Sequence, residues 1–170
     1  YGYDRMAIAG HRGRNGRVEY KAWTIQEFDE DEPKRDLIND EVPPLLWAGA
    51  SSIYFNAIVR PVPLAPIEGE VAYPQYIRQG VAGALNPAED ERRVAMRLFT
   101  DDLVVPPRGR QELPLRVFMG PKDRTLLNND YFAQPGMRYD ETLVSPFGCR
   151  WCVFQPVVVV LVWLLTAFQA

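Results

Sequence analysis

The stretch LLWAGASSIYFNAIV, residues 45–59, decides the predicted fold. Apolar side chains recur there at every second position, as on one face of a strand: Ile53, Phe55, Ala57 and Val59. Tyr54 and Phe55 would be core aromatic residues on opposite faces of that strand. Pro61 should end it, because proline cannot donate a hydrogen bond to a ladder. We therefore predict a central strand at this position.

Alternating residues on both sides of an Asn-Gly pair predict a hairpin near the start of the chain. Met6–Ala9 and Val18–Ile25 flank Asn15–Gly16, and this dipeptide is a strong hairpin signal. In the second run, apolar and aromatic residues alternate with Glu19 and Lys21, which is the period of a half-buried strand. We expect the two runs to pair in antiparallel fashion.

Two long stretches lack a regular period and are predicted to be loops. Phe28–Pro44 is acidic and contains three prolines, which indicates an exposed loop with at most a short helix. Prolines and glycines recur through Leu64–Glu91, where only Val71–Ile77 has strand character. This second stretch is therefore the best candidate for an insertion or a mobile loop.

Two more strands follow from alternation later in the chain. Val94, Met96 and Leu98 define the first, and Leu113–Met119 defines the second. Pro114 places the second strand at an edge or a bulge. Since no long amphipathic helix precedes residue 123, the predicted fold class is mainly β, an antiparallel β-sandwich over residues 1–147.

Residues 148–170 differ from the rest and are predicted to be a linker and an apolar helix. No charged side chain occurs from Trp151 to Phe168, and Pro156 suits the first turn of a helix. The helix would run from about residue 155 to the end, a length of about 23 Å at ~1.5 Å per residue, short of a ~30 Å hydrocarbon core. A helix in the membrane interface is favoured, because Trp151 and Trp163 are residue types of the headgroup level. A spanning helix and a buried core helix remain open.

Composition and the few reactive residues argue against enzymatic chemistry. The 19 basic and 22 acidic side chains give a net charge of -3, without the basic surplus of a nucleic-acid-binding protein. Cys149 and Cys152 supply two of the four ligands that a structural zinc site needs, so they are interpreted as small apolar residues or an incidental disulfide. His11, the only histidine, is expected in a surface turn. We predict no catalytic residue, no metal, no cofactor and no nucleic-acid partner.

Three local patterns, in this order, resemble the YidC family of bacterial membrane protein insertases. The first pattern combines a Trp-x-Gly, a Tyr-Phe and a strand-ending proline: Trp47, Gly49, Tyr54, Phe55 and Pro61. The second is a Gly-Pro-Lys after a strand: Gly120, Pro121 and Lys122. The third is a Phe-Gln-Pro before an apolar helix, with its membrane-interface residues: Trp151, Pro156, Trp163, Leu164 and Leu165. The resemblance covers residues 45–170.

The resemblance implies a β-supersandwich domain on the periplasmic side of the bacterial inner membrane, followed by an interfacial helix. It implies newly made membrane proteins as partners, with the Sec translocon as a further candidate and membrane lipid as the surface contacted. The expected function is assistance to membrane protein insertion and folding, by a chain that is a piece of a longer protein and lacks the insertase core. The alternatives are a membrane-anchored extracytoplasmic β-sandwich binding domain and a carbohydrate-active protein similar to sugar mutarotases. The latter needs His and Glu in one cleft.

Overall fold

The computed structural model describes residues 5–28, 31–39, 44–63, 74, 76–85, 93–133, 137–143 and 164. These residues form eight strands: β1 Arg5–Arg12, β2 Val18–Thr24, β3 Lys34–Asp36, β4 Leu45–Ser52, β5 Phe55–Pro61, β6 Ile77–Leu85, β7 Arg93–Thr100 and β8 Leu115–Pro121. Helical structure among them is short: the 3₁₀ turns Ile25–Glu27 and Tyr139–Leu143 and helix α1, Arg124–Leu127. The described part is therefore mainly β, as predicted.

All strand pairs are antiparallel and belong to two sheets. The larger sheet has five strands in the order β2-β1-β4-β5-β8, and the smaller has three in the order β3-β6-β7. Strand β7 packs against β1 and β4 of the larger sheet. The prediction that β8 lies at an edge is confirmed, because β8 is the last strand in the order of the larger sheet.

The predicted N-terminal hairpin is confirmed. Strands β1 and β2 pair in register from Met6 opposite Thr24 to Arg12 opposite Val18. The loop between them closes at Gly16, whose φ of 74° lies in the left-handed region that glycine adopts at little cost. The Asn-Gly signal therefore located the turn correctly.

The prediction of one central strand over residues 45–59 is wrong, because the chain reverses in the middle of it. Strands β4 and β5 are separate and pair with each other, with Ala48 opposite Val59. At the reversal the Ser52 hydroxyl oxygen accepts hydrogen bonds from the backbone N–H groups of Tyr54 at 3.3 Å and Phe55 at 3.0 Å. Such serine turns satisfy the backbone locally. Tyr54 and Phe55 are consequently 71% and 60% exposed, so they are not core residues.

The two predicted loops contain strands. Strand β3 lies in the first and β6 in the second, and they pair with each other. Phe28 and Leu37, expected in an exposed loop, are fully buried. Strand β6 is rich in glycine and alanine, which have low strand propensity and so conceal it in the sequence. A Cβ atom at Gly83 would lie 2.7 Å from the carbonyl oxygen of Pro33, so glycine permits a close approach to the segment before β3.

The larger sheet buries different cores on its two faces. We call one the cap face, because the cap segment, residues 124–133 and 137–143, packs on it. Its buried residues are Met6, Ile8, Val18, Leu46, Trp47, Ile58, Leu127, Met137 and Tyr139. We call the other the sandwich face, because the smaller sheet packs on it. Its core contains Ala7, Ala9, Phe28, Leu37, Leu45, Ala48 and Ala82.

Candidate functional site

The first two sequence patterns meet at one end of the β5–β8 pair. Phe55 lies directly opposite Pro121 in the ladder. The backbone N–H of Lys122 donates to the carbonyl oxygen of Tyr54 at 2.8 Å. Pro61 lies opposite Leu115 at the other end of the pair. Residues that are far apart in the chain therefore form one structural unit, which we call the motif junction, comprising residues 54–55 and 120–122.

Trp47 connects the sheet to the cap segment. Its side chain is fully buried, and its indole Nε1 donates to the carbonyl oxygen of Met137 at 2.8 Å. The ring meets Tyr139 edge-on, with 5.0 Å between centroids, an arrangement that aromatic pairs prefer. Trp47 therefore fixes the cap segment against the sheet.

Gly49 is required by the close approach of two strands. A Cβ atom there would lie 2.3 Å from the carbonyl oxygen of Ala57, well inside van der Waals contact. At Gly120 an added Cβ would meet only the ring end of Phe118, at 3.3 Å. Glycine is therefore a steric requirement at Gly49, whereas Gly120 has room for a small side chain if the Phe118 ring shifts slightly.

A chain of buried hydrogen bonds ties the motif region to the cap segment. Ser51 Oγ donates to Asn56 Oδ1 at 2.8 Å, and Asn56 Nδ2 donates to Thr142 Oγ1 at 2.6 Å. The Thr142 hydroxyl in turn donates to the carbonyl oxygen of Tyr139 at 2.6 Å. Sequence reasoning missed this network, although a lone amide in an apolar strand signals a buried polar group that needs partners.

Lys122 places an amine at the motif junction. Among the described residues its Nζ is buried and has no hydrogen-bond partner. Burial lowers the pKa of this lysine to about 8, because it disfavours the charged form.

The sandwich face of β5 and β8 carries a row of apolar side chains that are not covered within the described part of the chain. We call this row the uncovered surface: Phe55, Ala57, Val59, Leu115, Val117 and Met119. Val117 is 60% and Met119 78% exposed. Among the described residues, the smaller sheet packs mainly on β1 and β4 rather than on this half of the face. A contiguous exposed apolar patch of this kind commonly marks an interaction site.

A groove of about 920 Å³ runs along the end of the uncovered surface. Its lining includes Phe55, Met119, Val94 of β7, Arg5 and Arg93. Its volume lies within the range of ligand pockets, and its lining is mainly apolar. The groove therefore suits an apolar segment.

His11 is not in a surface turn, as the sequence suggested, but in the buried part of β1. Its Nε2 lies 3.0 Å from the carbonyl oxygen of Leu37. Burial lowers the pKa of this imidazole, because desolvation disfavours its charged form. Its placement was missed because β1 continues to Arg12, three residues beyond the predicted end of the strand at Ala9. In the described part of the chain no three His, Cys, Asp or Glu side chains converge as metal ligands would.

The predicted membrane-interface residues fall outside the described residues, with one exception. Trp151, Pro156, Trp163 and Leu165 are among those outside, as are Cys149 and Cys152. Leu164 has helical backbone and is 42% exposed. Within the described ranges, no helix combines the length and the apolar character needed to cross a membrane.

Comparisons of the chain with protein-family models, with curated proteins and with solved structures each gave no match. The function is therefore inferred from the residues and geometry of this chain.

Proposed function

We propose that this chain is the extracytoplasmic β-domain of a YidC-type membrane protein insertase, and that its uncovered surface holds apolar segments of newly made membrane proteins. The observation that carries the proposal is the motif junction. Phe55 and Pro121, from two separate patterns of the resemblance, pair at the same strand ends that bear the uncovered surface. The junction thus supports both the resemblance and the location of the binding surface.

The chemistry of the uncovered surface suits a membrane protein segment. Its side chains are apolar and include Met119, whose flexible thioether adapts to partners of varied shape.

The cap face supports a structural rather than a catalytic role for the motif residues. Trp47 holds the cap segment by its indole hydrogen bond, and Asn56 holds it through Thr142. The cap segment leads to the apolar run after residue 150, for which we propose an interfacial helix on the periplasmic side of the bacterial inner membrane. In this proposal the domain is part of a β-supersandwich, and the Sec translocon is a further partner.

Site-specific photo-crosslinking tests the proposed surface. A photoreactive amino acid at Val117 or Met119 of the full-length protein in bacterial cells should give adducts with a stalled single-span membrane protein. Val104 is the matched control, since it is apolar and 87% exposed but lies in the loop before β8. Adducts of equal yield at all three positions, or none at Val117 and Met119, would contradict the proposal.

A further inference from the structure

Two arginines that face each other across the β5–β8 pair converge on one tyrosine. Arg60 lies directly opposite Arg116 in the ladder. Nη1 of Arg60 donates to the Tyr131 hydroxyl oxygen at 2.8 Å, and Nη1 of Arg116 donates to the same oxygen at 3.2 Å. Each guanidinium carbon lies 5.6 Å from the centroid of the tyrosine ring, within the range of a cation–π contact. Two positive charges are thereby held together on the cap face.

This pairing of like charges is not neutralised by an acidic side chain in the part of the chain that the structure describes. Neither Arg60 nor Arg116 forms an ion pair there, whereas Arg35, Arg110 and Arg138 each contact a glutamate. Like charges directly opposite each other in a sheet are destabilising. A bound anion would remove that repulsion.

Among the described residues, the three side chains that form the cluster all have N–H or O–H groups that can donate hydrogen bonds. The Tyr131 oxygen already accepts two hydrogen bonds, so its own O–H is left to donate. Each guanidinium keeps most of its N–H groups for further bonds. Burial acts to raise the pKa of Tyr131, but the hydrogen bonds from Arg116 and Arg60 and their positive charges together outweigh it and lower the pKa below its ordinary value. The cluster therefore has the chemistry that oxyanions with several acceptor oxygens require.

The position of Tyr131 is fixed independently of the arginines. The side-chain oxygen of Asn129 accepts hydrogen bonds from the backbone N–H groups of Tyr131 at 3.0 Å and Phe132 at 3.2 Å. The Tyr131 ring also packs edge-on against Phe132, with 4.9 Å between centroids. A preorganised group of this kind binds a ligand with less loss of conformational freedom.

We propose that Arg60, Arg116 and Tyr131 bind a phosphate group, either of a soluble phosphate compound or of a lipid headgroup. Both sources present the same tetrahedral oxyanion, and guanidinium groups recognise it by paired hydrogen bonds. This site lies on the cap face, opposite the uncovered surface, so it does not depend on the proposed function.

Inorganic phosphate is the first probe, with the thermal midpoint of the whole chain as readout. Phosphate should raise the midpoint of the wild type and of the control R97Q/R108Q, but not of R60Q/R116Q. The control R97Q/R108Q also removes two positive charges, but from exposed positions outside the cluster. The affinity for phosphate should fall on the order of tenfold or more in R60Q/R116Q, since charge-assisted hydrogen bonds are lost. The single variants R60Q and R116Q extend the test. Each should weaken phosphate binding without lowering the thermal midpoint measured in the absence of phosphate.

Vesicles of phosphatidylcholine, with and without phosphatidylglycerol, distinguish the two sources. Extra binding to the phosphatidylglycerol vesicles that is lost only in R60Q/R116Q identifies a lipid headgroup. Phosphate binding without that extra binding identifies a soluble phosphate compound. A phosphate effect of the same size in wild type, R60Q/R116Q and control, or no phosphate effect on the wild type, would overturn the proposal.

Discussion

The indole ring of Trp47 occupies the space that a Cβ atom on Gly10 would need. The two residues are opposite each other in the β1–β4 ladder, and an added Cβ would lie 2.2 Å from Cε2 of the ring. The ring has no room to retreat, because it is fully buried and hydrogen-bonded to Met137. The packing of the cap segment therefore depends on a residue with no side chain.

Replacing Gly10 with Ala should destabilise the protein by about 3 kcal/mol, at the upper end of overpacking costs. Gly120→Ala is the matched control and should cost less than about 1 kcal/mol, since its added Cβ comes no closer than 3.3 Å to the far end of the Phe118 ring. Urea denaturation of both variants measures the difference. Equal losses would show that the Trp47 ring can move aside.

Replacing Thr142 with Val should cost about 1–3 kcal/mol, because it leaves the buried Asn56 amide without its acceptor. Valine has nearly the same shape, so lost packing contributes little. Thr125→Val, at an exposed position of α1, should have almost no effect. Urea denaturation is again the measurement, and a Thr142→Val variant as stable as wild type would mean that the network adds nothing.

Lys122 should make the free energy of unfolding change with pH in the alkaline range. Its pKa is about 8 in the folded chain against 10.5 in the unfolded chain, so the unfolded chain binds more protons between these values. Stability should therefore rise as pH increases from 8 to 10.5, and the cost of burying the ammonium group should be fully present below pH 8.

Lys122→Met should accordingly stabilise the protein at neutral pH, by about 1 kcal/mol after allowance for solvent screening of a partly buried side chain. The gain should shrink as the pH approaches 10.5. Lys34→Met controls for the loss of one positive charge at an exposed position. A gain that does not change with pH would show that the ammonium group is solvated.

Met119→Glu should reduce client insertion by the full-length protein without unfolding it, because a charge on the uncovered surface opposes apolar binding. Val104→Glu, in the exposed loop, should leave insertion unchanged. Insertion of a single-span protein, scored by protease protection in cells depleted of the native insertase, is the measurement. Equal insertion by both variants would argue against this surface.

The apolar run from Trp151 to Phe168 should bind the whole chain to liposomes, whereas a chain ending at Phe147 should stay unbound. Flotation of both versions through a density gradient is the measurement. Equal flotation would mean that the run does not contact lipid.

The two-residue alternation of apolar and polar side chains predicted the strands whose two faces differ in polarity. Strands β7 and β8 alternate clearly and were located within two residues. The reversal after Ser52 was missed, because Ile53 and Tyr54 lack the Gly, Asn or Asp that marks most two-residue turns. Strand β6 was missed because Gly80 and Gly83 dilute its strand propensity, while their small size allows close packing.

The site residues were predictable only in part. Trp47 and Gly49 were identified from a pattern, but the reasons for them, a buried hydrogen bond and a close strand approach, are tertiary. Alternation showed that Val117 and Met119 share a face, yet it cannot show which half of a face another sheet covers. The convergence of Arg60 and Arg116 depends on strand register and on a loop from another part of the chain, so no local pattern reveals it.

The bond from Trp47 to Met137 joins residues 90 positions apart, and this sets an order of events during synthesis. Strands β1, β2, β4 and β5 can pair as soon as they emerge, but the indole has no acceptor until the cap segment has been made. During that interval the cap face exposes Met6, Ile8 and Trp47 to the surroundings. Transiently exposed apolar surface of this kind is prone to aggregation and is bound by chaperones. Once the cap segment has been synthesised, it can cover this apolar surface, and the risk of aggregation falls.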